Sequence, residues 1–242
     1  MRFIIESLFQ FLLPPQCRCC ERFLDEGEEG FCSDCASEIR WIEPPFCSIC
    51  GTPFLSGLER CHPCGRCLTH RRYFTMARAL GVYEGSLREA IHRWKYEGKT
   101  ALTSFFASRM VEGLSRYWDP ESFDLLIPVP LHPQRLRERG FNQALLLAKE
   151  MSHRTGIPFR KRLLRKSRPT PPQVNLSGGE REKAVRGSFY TTRSEDVKGR
   201  SILLVDDVYT TGATVNECAR ALLKAGAERV DVLTLAHALK NP

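Results

Sequence analysis

The chain has no low-complexity tract, and none of its apolar runs is long enough to cross a bilayer. The longest apolar opening, Met1 to Leu13, carries Glu6 and Gln10 and stops at Pro14-Pro15, whereas a membrane-spanning helix needs about 20 apolar residues. Arg2 is the only basic residue in this stretch, and no small-residue cleavage site follows it, so the pattern of an export signal is missing as well. These absences lead us to expect a cytoplasmic chain without a membrane span, with Met1–Leu13 a short amphipathic helix docked on its own core or on a partner. Cysteine is scarce over most of the length: only Cys218 lies outside the segment from Cys17 to Cys67. With 42% hydrophobic and 26% charged residues in 242, what remains is an ordinary globular composition, enough for one large domain or for a domain of typical size plus a small module.

Charge divides the chain. Residues 1–70 hold 6 Arg against 10 Asp/Glu, and the rest holds 30 Lys/Arg against 18. The basic surface therefore belongs to the C-terminal two-thirds, and phosphorylated ligands or nucleic acid suit such a field.

Ten of the eleven cysteines are crowded near the N-terminus, and nine of these ten stand in C-x-x-C pairs. A C-x-x-C turn sets two thiolates on one side of a tight knuckle, and two knuckles complete a tetrahedral sulfur shell, the usual form of structural zinc. Cys17, Cys20, Cys32 and Cys35 make the first such set, with Cys19 left over. The second takes Cys47 and Cys50 with Cys64 and Cys67, and a shift of one pair brings in Cys61 in place of Cys67. A disulfide framework needs an oxidising compartment, and a redox C-x-x-C needs a thioredoxin-like helix start; neither context is present. All ligands being thiolates, the zinc is expected to serve folding and not catalysis.

From Ala77 onward the pattern alternates between strands and helices, which implies a doubly wound, mainly parallel sheet. Leu87, Ile91 and Trp94 mark one helix face, and Asp124–Pro130 a buried strand. Phe141, Leu145, Ala148 and Met151 mark a second helix. Arg186–Thr191 and Ser201–Val205 read as strands, the latter leading through a loop to a helix with Cys218, Leu222 and Leu223 inward. Gly226 stops that helix, and Val230–Leu235 gives a further strand. Boundaries of 1–72 for the cysteine module and 73–242 for the α/β domain follow.

The strand tip Asp206-Asp207-Val208-Tyr209-Thr210-Thr211-Gly212-Ala213-Thr214 is the most informative segment. Two adjacent carboxylates there call for a cation or hydroxyls, which a ribose diol with Mg2+ nearby would supply. The small residues after them offer hydroxyls and backbone N–H groups at a helix N-terminus, a setting that wraps a phosphate. Gly212 permits close approach.

This stretch resembles the phosphoribosyl pyrophosphate (PRPP) motif of type I phosphoribosyltransferases. The whole chain resembles the ComF family, in which a zinc ribbon module precedes that fold and which is linked to DNA uptake in competent bacteria. The resemblance rests on the cysteine knuckles, Trp94-Lys-Tyr-x-Gly98, Pro128-Val-Pro-Leu-His-Pro133, Arg137-Glu-Arg-Gly-Phe-Asn-Gln143 and the stretch from Arg165 to Phe189. It implies that Asp206 and Asp207 hold the ribose hydroxyls as the catalytic pair and Thr210 to Thr214 the 5′-phosphate, with Val208, Tyr209, Thr210, Thr211, Gly212, Ala213 and Thr214 together binding PRPP. By the same resemblance Arg135, Arg137 and Arg139 lie nearest the pyrophosphate. Arg165 to Gln173, with Lys166 and Thr170, would form a loop that closes over the site, and residues 75–115 a hood for the acceptor. Ala184 stands where the family's stretch is expected to hold Asn. The resemblance implies pentosyl transfer from PRPP, with rival readings as a PRPP sensor without turnover or a single-stranded-DNA-handling protein using Arg160–Arg168 and Arg135–Arg139, in contact with the DNA-uptake machinery. His132, near the pyrophosphate turn, reads as a surface histidine before a catalytic one.

Overall fold

The computed structural model describes residues 15–28, 30–54, 60–98, 100, 102–169 and 183–239. The N-terminal stretch 1–14 and residues 170–173 of the expected closing loop, including Thr170, lie outside the described residues.

Four parallel strands form the central sheet in the order β1 (Ala77–Val82), β6 (Arg229–His237), β5 (Ser201–Tyr209), β2 (Leu125–Pro128). A strand covered on both faces must be apolar throughout, and β5 shows why. Leu203 and Val205 point to one layer, where they join Leu126, Leu233 and Leu235 against helices α3 (Gly85–Tyr96), α4 (Leu102–Tyr117) and α6 (Gln143–Thr155). Ile202 and Leu204 point to the other, where Leu125, Ile127, Val230 and Val232 meet α7 (Ala213–Lys224). The period-two alternation of side chains thus feeds two cores from one run of apolar residues. A two-stranded antiparallel ribbon, β3 (Leu164–Lys166) with β4 (Phe189–Thr191), lies beside α7.

Both sheet edges are covered. Along β1 the backbone of residues 40–42 hydrogen-bonds to Leu80 and Val82, and along β2 Pro158 and Arg160 bond to Leu126. Such cover removes the exposed ladder through which an edge strand would recruit another chain.

Among the described residues the cysteine-rich segment contributes two short helices, α1 (Ser33–Ser37) and α2 (Gly65–Thr69), and no separate core. Cys17, Phe31, Cys32, Cys35 and Ile39 pack with Leu87, Ile91 and Trp94 of α3. Cys47 and Cys50 pack with Phe74, Tyr209, Ala213 and Val215. The knuckle at Gly51 sits so close to β1 that a Cβ there would lie 2.7 Å from the Ala77 carbonyl oxygen, at φ +70°.

Three elements differ from the sequence expectation. Strand β5 continues through Asp206 and Asp207 to Tyr209, because its pairing with β6 runs on to Tyr209↔His237. The buried stripe of α6 is Ala144, Leu147, Ala148 and Met151, with Phe141 and Leu145 only half-buried. This helix starts at Gln143, capped by the Asn142 side chain, so its inward face is rotated from the one the apolar spacing suggests. The strand expected over Arg186–Thr191 is confined to Phe189–Thr191, since Gly187 donates its N–H to Glu217 and leaves the ladder.

Gly113 of α4 faces Leu80 of β1, where an added Cβ would overlap the leucine side chain. Gly113→Ala should therefore lower stability by about 1–3 kcal/mol, the cost of overpacking a filled core. A denaturant titration checks this, and the loss should shrink in a Leu80→Ala background.

Candidate functional site

The carboxyl ends of β2 and β5 open into a cavity of about 350 Å³ lined by Lys95, Tyr96, Arg135, Arg139, Gln143, Lys166 and the segment from Asp206 to Thr214, among others. Crevices at the carboxyl ends of parallel strands are where open α/β sheets bind ligands.

Asp206 and Asp207 occupy successive positions at the end of β5. The Asp207 N–H donates to Asp206 Oδ1 at 2.9 Å. Burial, reinforced by the neighbouring charge of Asp207, pushes Asp206 up to about 8, and Lys95 and Lys166 offset this only in part. Lys95 Nζ lies 2.9 Å from Asp207 Oδ1, both side chains being largely buried. Burial in turn holds Lys166 below the ordinary lysine value. The protein environment thus does not support ionisation of both carboxylates at once, and a cation brought to the pair would favour the second charge.

The turn after β5 is shaped for close approach. Gly212 has φ +76° and caps α7, and a Cβ at this position would overlap the Tyr209 hydroxyl. Thr211 Oγ1 accepts from the Ala213 N–H at 3.3 Å. Twelve residues of helix follow, so the turn carries the partial positive charge of a helix N-terminus.

Cations come from three other elements. Helix α5 (Pro133–Arg139) brings Arg135 and Arg139, α3 brings Lys95 and β3 brings Lys166. Arg139 donates to Gln143 Oε1 at 3.0 Å and to the Tyr96 hydroxyl at 3.2 Å, and Arg135 pairs with Glu138 at 3.3 Å. Arg137 points to solvent and does not line the cavity. Arg165 and Lys166 are neighbours on β3, so their side chains leave on opposite faces. Lys166 enters the cavity, while Arg165 joins Arg160, Lys161, Arg162 and Arg193 around a separate cleft of about 510 Å³. Of the two expected loop residues described on β3, Lys166 lines the cavity and Arg165 the separate cleft. His132 caps α5, its Nδ1 accepting from the Gln134 N–H at 3.3 Å, and it does not line the cavity.

Sequence reasoning gives no role to Lys95, Tyr96 or Gln143. Lys95 directly follows the fully buried Trp94, a position at the border of the helix's inward face. Gln143 is 1% exposed, and its Nε2 has no partner among the described residues. A buried donor without a partner beside a cavity points to an acceptor supplied by a ligand.

The cysteines gather into two sets, Cys17/Cys20/Cys32/Cys35 and Cys47/Cys50/Cys64/Cys67, each with its four sulfurs within 4.8 Å of one another. Cys20 and Cys32 sulfurs are 3.7 Å apart, as are those of Cys50 and Cys64. A tetrahedron with metal–sulfur bonds of about 2.3 Å has sulfur–sulfur edges of about 3.8 Å, so the spacing fits zinc in both sets. Sharing protons among crowded thiols splits them: the Cys50 thiol holds Cys47 down to about 4, while Cys47 and burial push Cys50 up. Cys61 is exposed and stands outside the second set.

Two family models match the chain, a double zinc ribbon domain over residues 8–68 and a phosphoribosyl transferase domain over residues 142–241. Competence protein F of Haemophilus influenzae is 30% identical over 227 residues, 92% of this chain and 97% of that protein. Competence protein ComFC of Bacillus subtilis is 31% identical, covering 84% of this chain and 82% of its own. DNA utilization protein YhgH of Escherichia coli strain K12 is 32% identical, covering 94% and 99%. Glutamine PRPP amidotransferase from B. subtilis overlays with a TM-score of 0.37 at 23% identity, over 55% of this chain and 26% of that one. With cysteine sets, sheet and sequence in agreement over nearly the full length, the chain belongs to the ComF family, a double zinc ribbon joined to a phosphoribosyltransferase fold.

Proposed function

We propose that the cavity binds PRPP with Mg2+ and that the protein acts in DNA uptake. The observation that carries the first part is the arrangement at the end of β5, where a partly buried acidic pair is followed within five residues by a Gly212 turn opening a helix. Asp206 and Asp207 would take the ribose hydroxyls and Mg2+, whose preference is for hard oxygen ligands. The backbone and hydroxyls of Thr210–Thr214 would take the 5′-phosphate. Arg135, Arg139 and Lys166 line the same cavity and would meet the pyrophosphate, with the Gln143 Nε2 donating to one of its oxygens.

Such a site supports pentosyl transfer. The bond from the anomeric carbon to pyrophosphate breaks as an acceptor lone pair attacks that carbon, and the electron pair leaves with the pyrophosphate. Carboxylates beneath the ribose stabilise positive charge on the ring, and cations stabilise the departing oxygens. Mg2+, when bound, neutralises part of the pyrophosphate charge. Lys95 balances Asp207 at 2.9 Å, a contact that a cation bound with the ligand would replace. Tyr83, Lys95 and Tyr96 bring the segment 75–115 to the cavity wall, in keeping with a hood for the acceptor.

The role in DNA uptake draws on the relatives named as competence and DNA utilization proteins. One observation favours direct nucleic-acid handling, the separate cleft with exposed Arg160, Lys161, Arg162, Arg165 and Arg193 against a single Asp196. Single-stranded DNA affinity should then fall steeply with salt, and Arg162→Ala/Arg165→Ala should flatten the log–log slope by about one to two, at about 0.7 for each phosphate no longer neutralised. Salt-independent affinity would remove this reading.

Calorimetry with PRPP and Mg2+ tests the pocket itself. Micromolar binding is expected for the wild type and none for Asp206→Asn/Asp207→Asn; absence of binding by folded, zinc-loaded wild type would overturn the assignment.

The raised Asp206 adds a pH test. Its native value, about 8, lies above the ordinary carboxylate value of 3.8, so between these two the native state holds a proton that the unfolded chain releases. Stability should fall as pH rises through that window, and Asp206→Asn should lack this component in paired thermal melts. Ligation by Mg2+ and ribose should expel the proton, so calorimetry at pH 7 in buffers of different ionisation enthalpy should register release of up to about one proton per PRPP bound.

A further inference from the structure

The second cysteine set is built against the base of the Gly212 turn, and three contacts join them. Cys50 Sγ lies 3.1 Å from Thr52 Oγ1, which in turn hydrogen-bonds His237 Nε2 at 3.0 Å. The His237 ring packs on Tyr209, with centroids 4.7 Å apart. Tyr209 is 4% exposed, and its hydroxyl fills the space where any side chain at Gly212 would project. On the other flank, Asn216 in the first turns of α7 ties down the chain that follows Cys67. Its Oδ1 accepts from the Tyr73 N–H at 2.7 Å, and its Nδ2 donates to the Arg71 carbonyl at 3.2 Å. Cys47, Cys50, Tyr209, Ala213 and Val215 share one buried cluster, with Cys64 and Cys67 packed against it.

We propose that Thr52, His237 and Tyr209 are positioning residues through which zinc at the second cysteine set fixes the phosphate-binding turn Thr210–Thr214. A hydroxyl beside a metal-bound thiolate orients that ligand, and partners of this kind couple a metal shell to its surroundings. Here the same hydroxyl holds His237, the ring of His237 holds Tyr209, and Tyr209 sets the height of the turn. The phosphate turn is therefore held in place while the second set binds its metal, and loss of zinc loosens the turn without touching Asp206 or Asp207. The first set has a different duty. It packs on α3 through Leu87, Ile91 and Trp94, with Arg93 paired to Glu21 at 2.9 Å, and it belongs to a different buried cluster from Tyr209 and Ala213.

The ligand part of this inference rests on the PRPP reading, whereas the ordering of the turn does not. Thr52→Val and His237→Phe in the full chain remove the hydrogen bond while keeping all eight thiols and an aromatic ring against Tyr209. Both variants should retain two zinc ions per chain by elemental analysis. Amide hydrogen exchange at Thr210–Ala213 should quicken about five- to tenfold, the effect of losing one buried hydrogen bond, with PRPP affinity weakened by a similar factor. Cys20→Ser should lose one zinc and quicken exchange in α3 while leaving the turn unchanged. Unaltered exchange at the turn in both relay variants, with two zinc ions bound, would overturn the proposal. So would equal quickening of the turn in Cys20→Ser, since the effect would then be global. Quickened exchange in a protein whose wild type binds no PRPP would retain the coupling and remove the ligand.

Discussion

The last pairs between β5 and β6, from Asp206↔Thr234 to Tyr209↔His237, are the constraint on which the rest depends. A parallel ladder that stopped at Val205 would leave the two carboxylates in a loop, free to turn to solvent. Because it continues, Asp206 and Asp207 are held at fixed depth on successive positions. Tyr209 is delivered beneath Gly212, and His237 is delivered beside Tyr209. Backbone hydrogen bonding thus does the positioning that the side chains alone could not, since two like charges side by side would otherwise move apart.

That placement has an electrostatic cost which the surrounding residues only partly offset. Lys95 answers Asp207 at 2.9 Å, while Asp206, with burial and a neighbouring charge both against ionisation, retains its proton to about 8. Strain of this kind is common at sites whose ligand completes the charge balance. Lys95 is supplied by α3, and α3 is packed against the first cysteine set. The two zinc ribbon sets therefore brace two different parts of one cavity wall, the first through the helix bearing Lys95 and Tyr96, the second through Tyr209 and α7.

The strongest local signals survive the passage from sequence to structure. The apolar run at Ser201, the acidic pair and the Gly212 turn are contiguous in the chain, so their order alone specifies strand, carboxylates and helix start. C-x-x-C spacing is likewise local, and the sulfurs converge in the sets it suggests, with Cys67 and not Cys61 drawn in because α2 starts beside Cys64 and turns Cys67 back. What cannot be read depends on contacts made across the fold. Nothing near Lys95 in sequence announces Asp207, 112 residues on. Arg165 and Lys166 look equivalent as a basic pair, and only the two-residue period of β3 sends them to different clefts. The inward face of α6 departs from the apolar spacing because its start depends on Asn142, whose Nδ2 donates to the Val129 carbonyl at 3.1 Å, a tertiary bond that no such spacing encodes.

The cysteine-rich segment also shows why a boundary drawn on composition need not be one in packing. Cysteine content and charge change near residue 70, and the zinc ribbon match ends at residue 68, yet the buried clusters pass across that point without interruption. A segment this small buries too little surface to fold on its own apolar contacts, and metal supplies part of what is missing. The rest comes from the α/β core itself: Phe31 and Ile39 are buried with α3, Ile42 and Phe46 with β1, and residues 40–42 cap the edge of that strand. Removing the segment would uncover an apolar edge and the undersides of both α3 and the Gly212 turn. The zinc ribbons are accordingly part of the support of the site, and their presence beside a phosphoribosyltransferase fold has a mechanical reason before any question of partners arises.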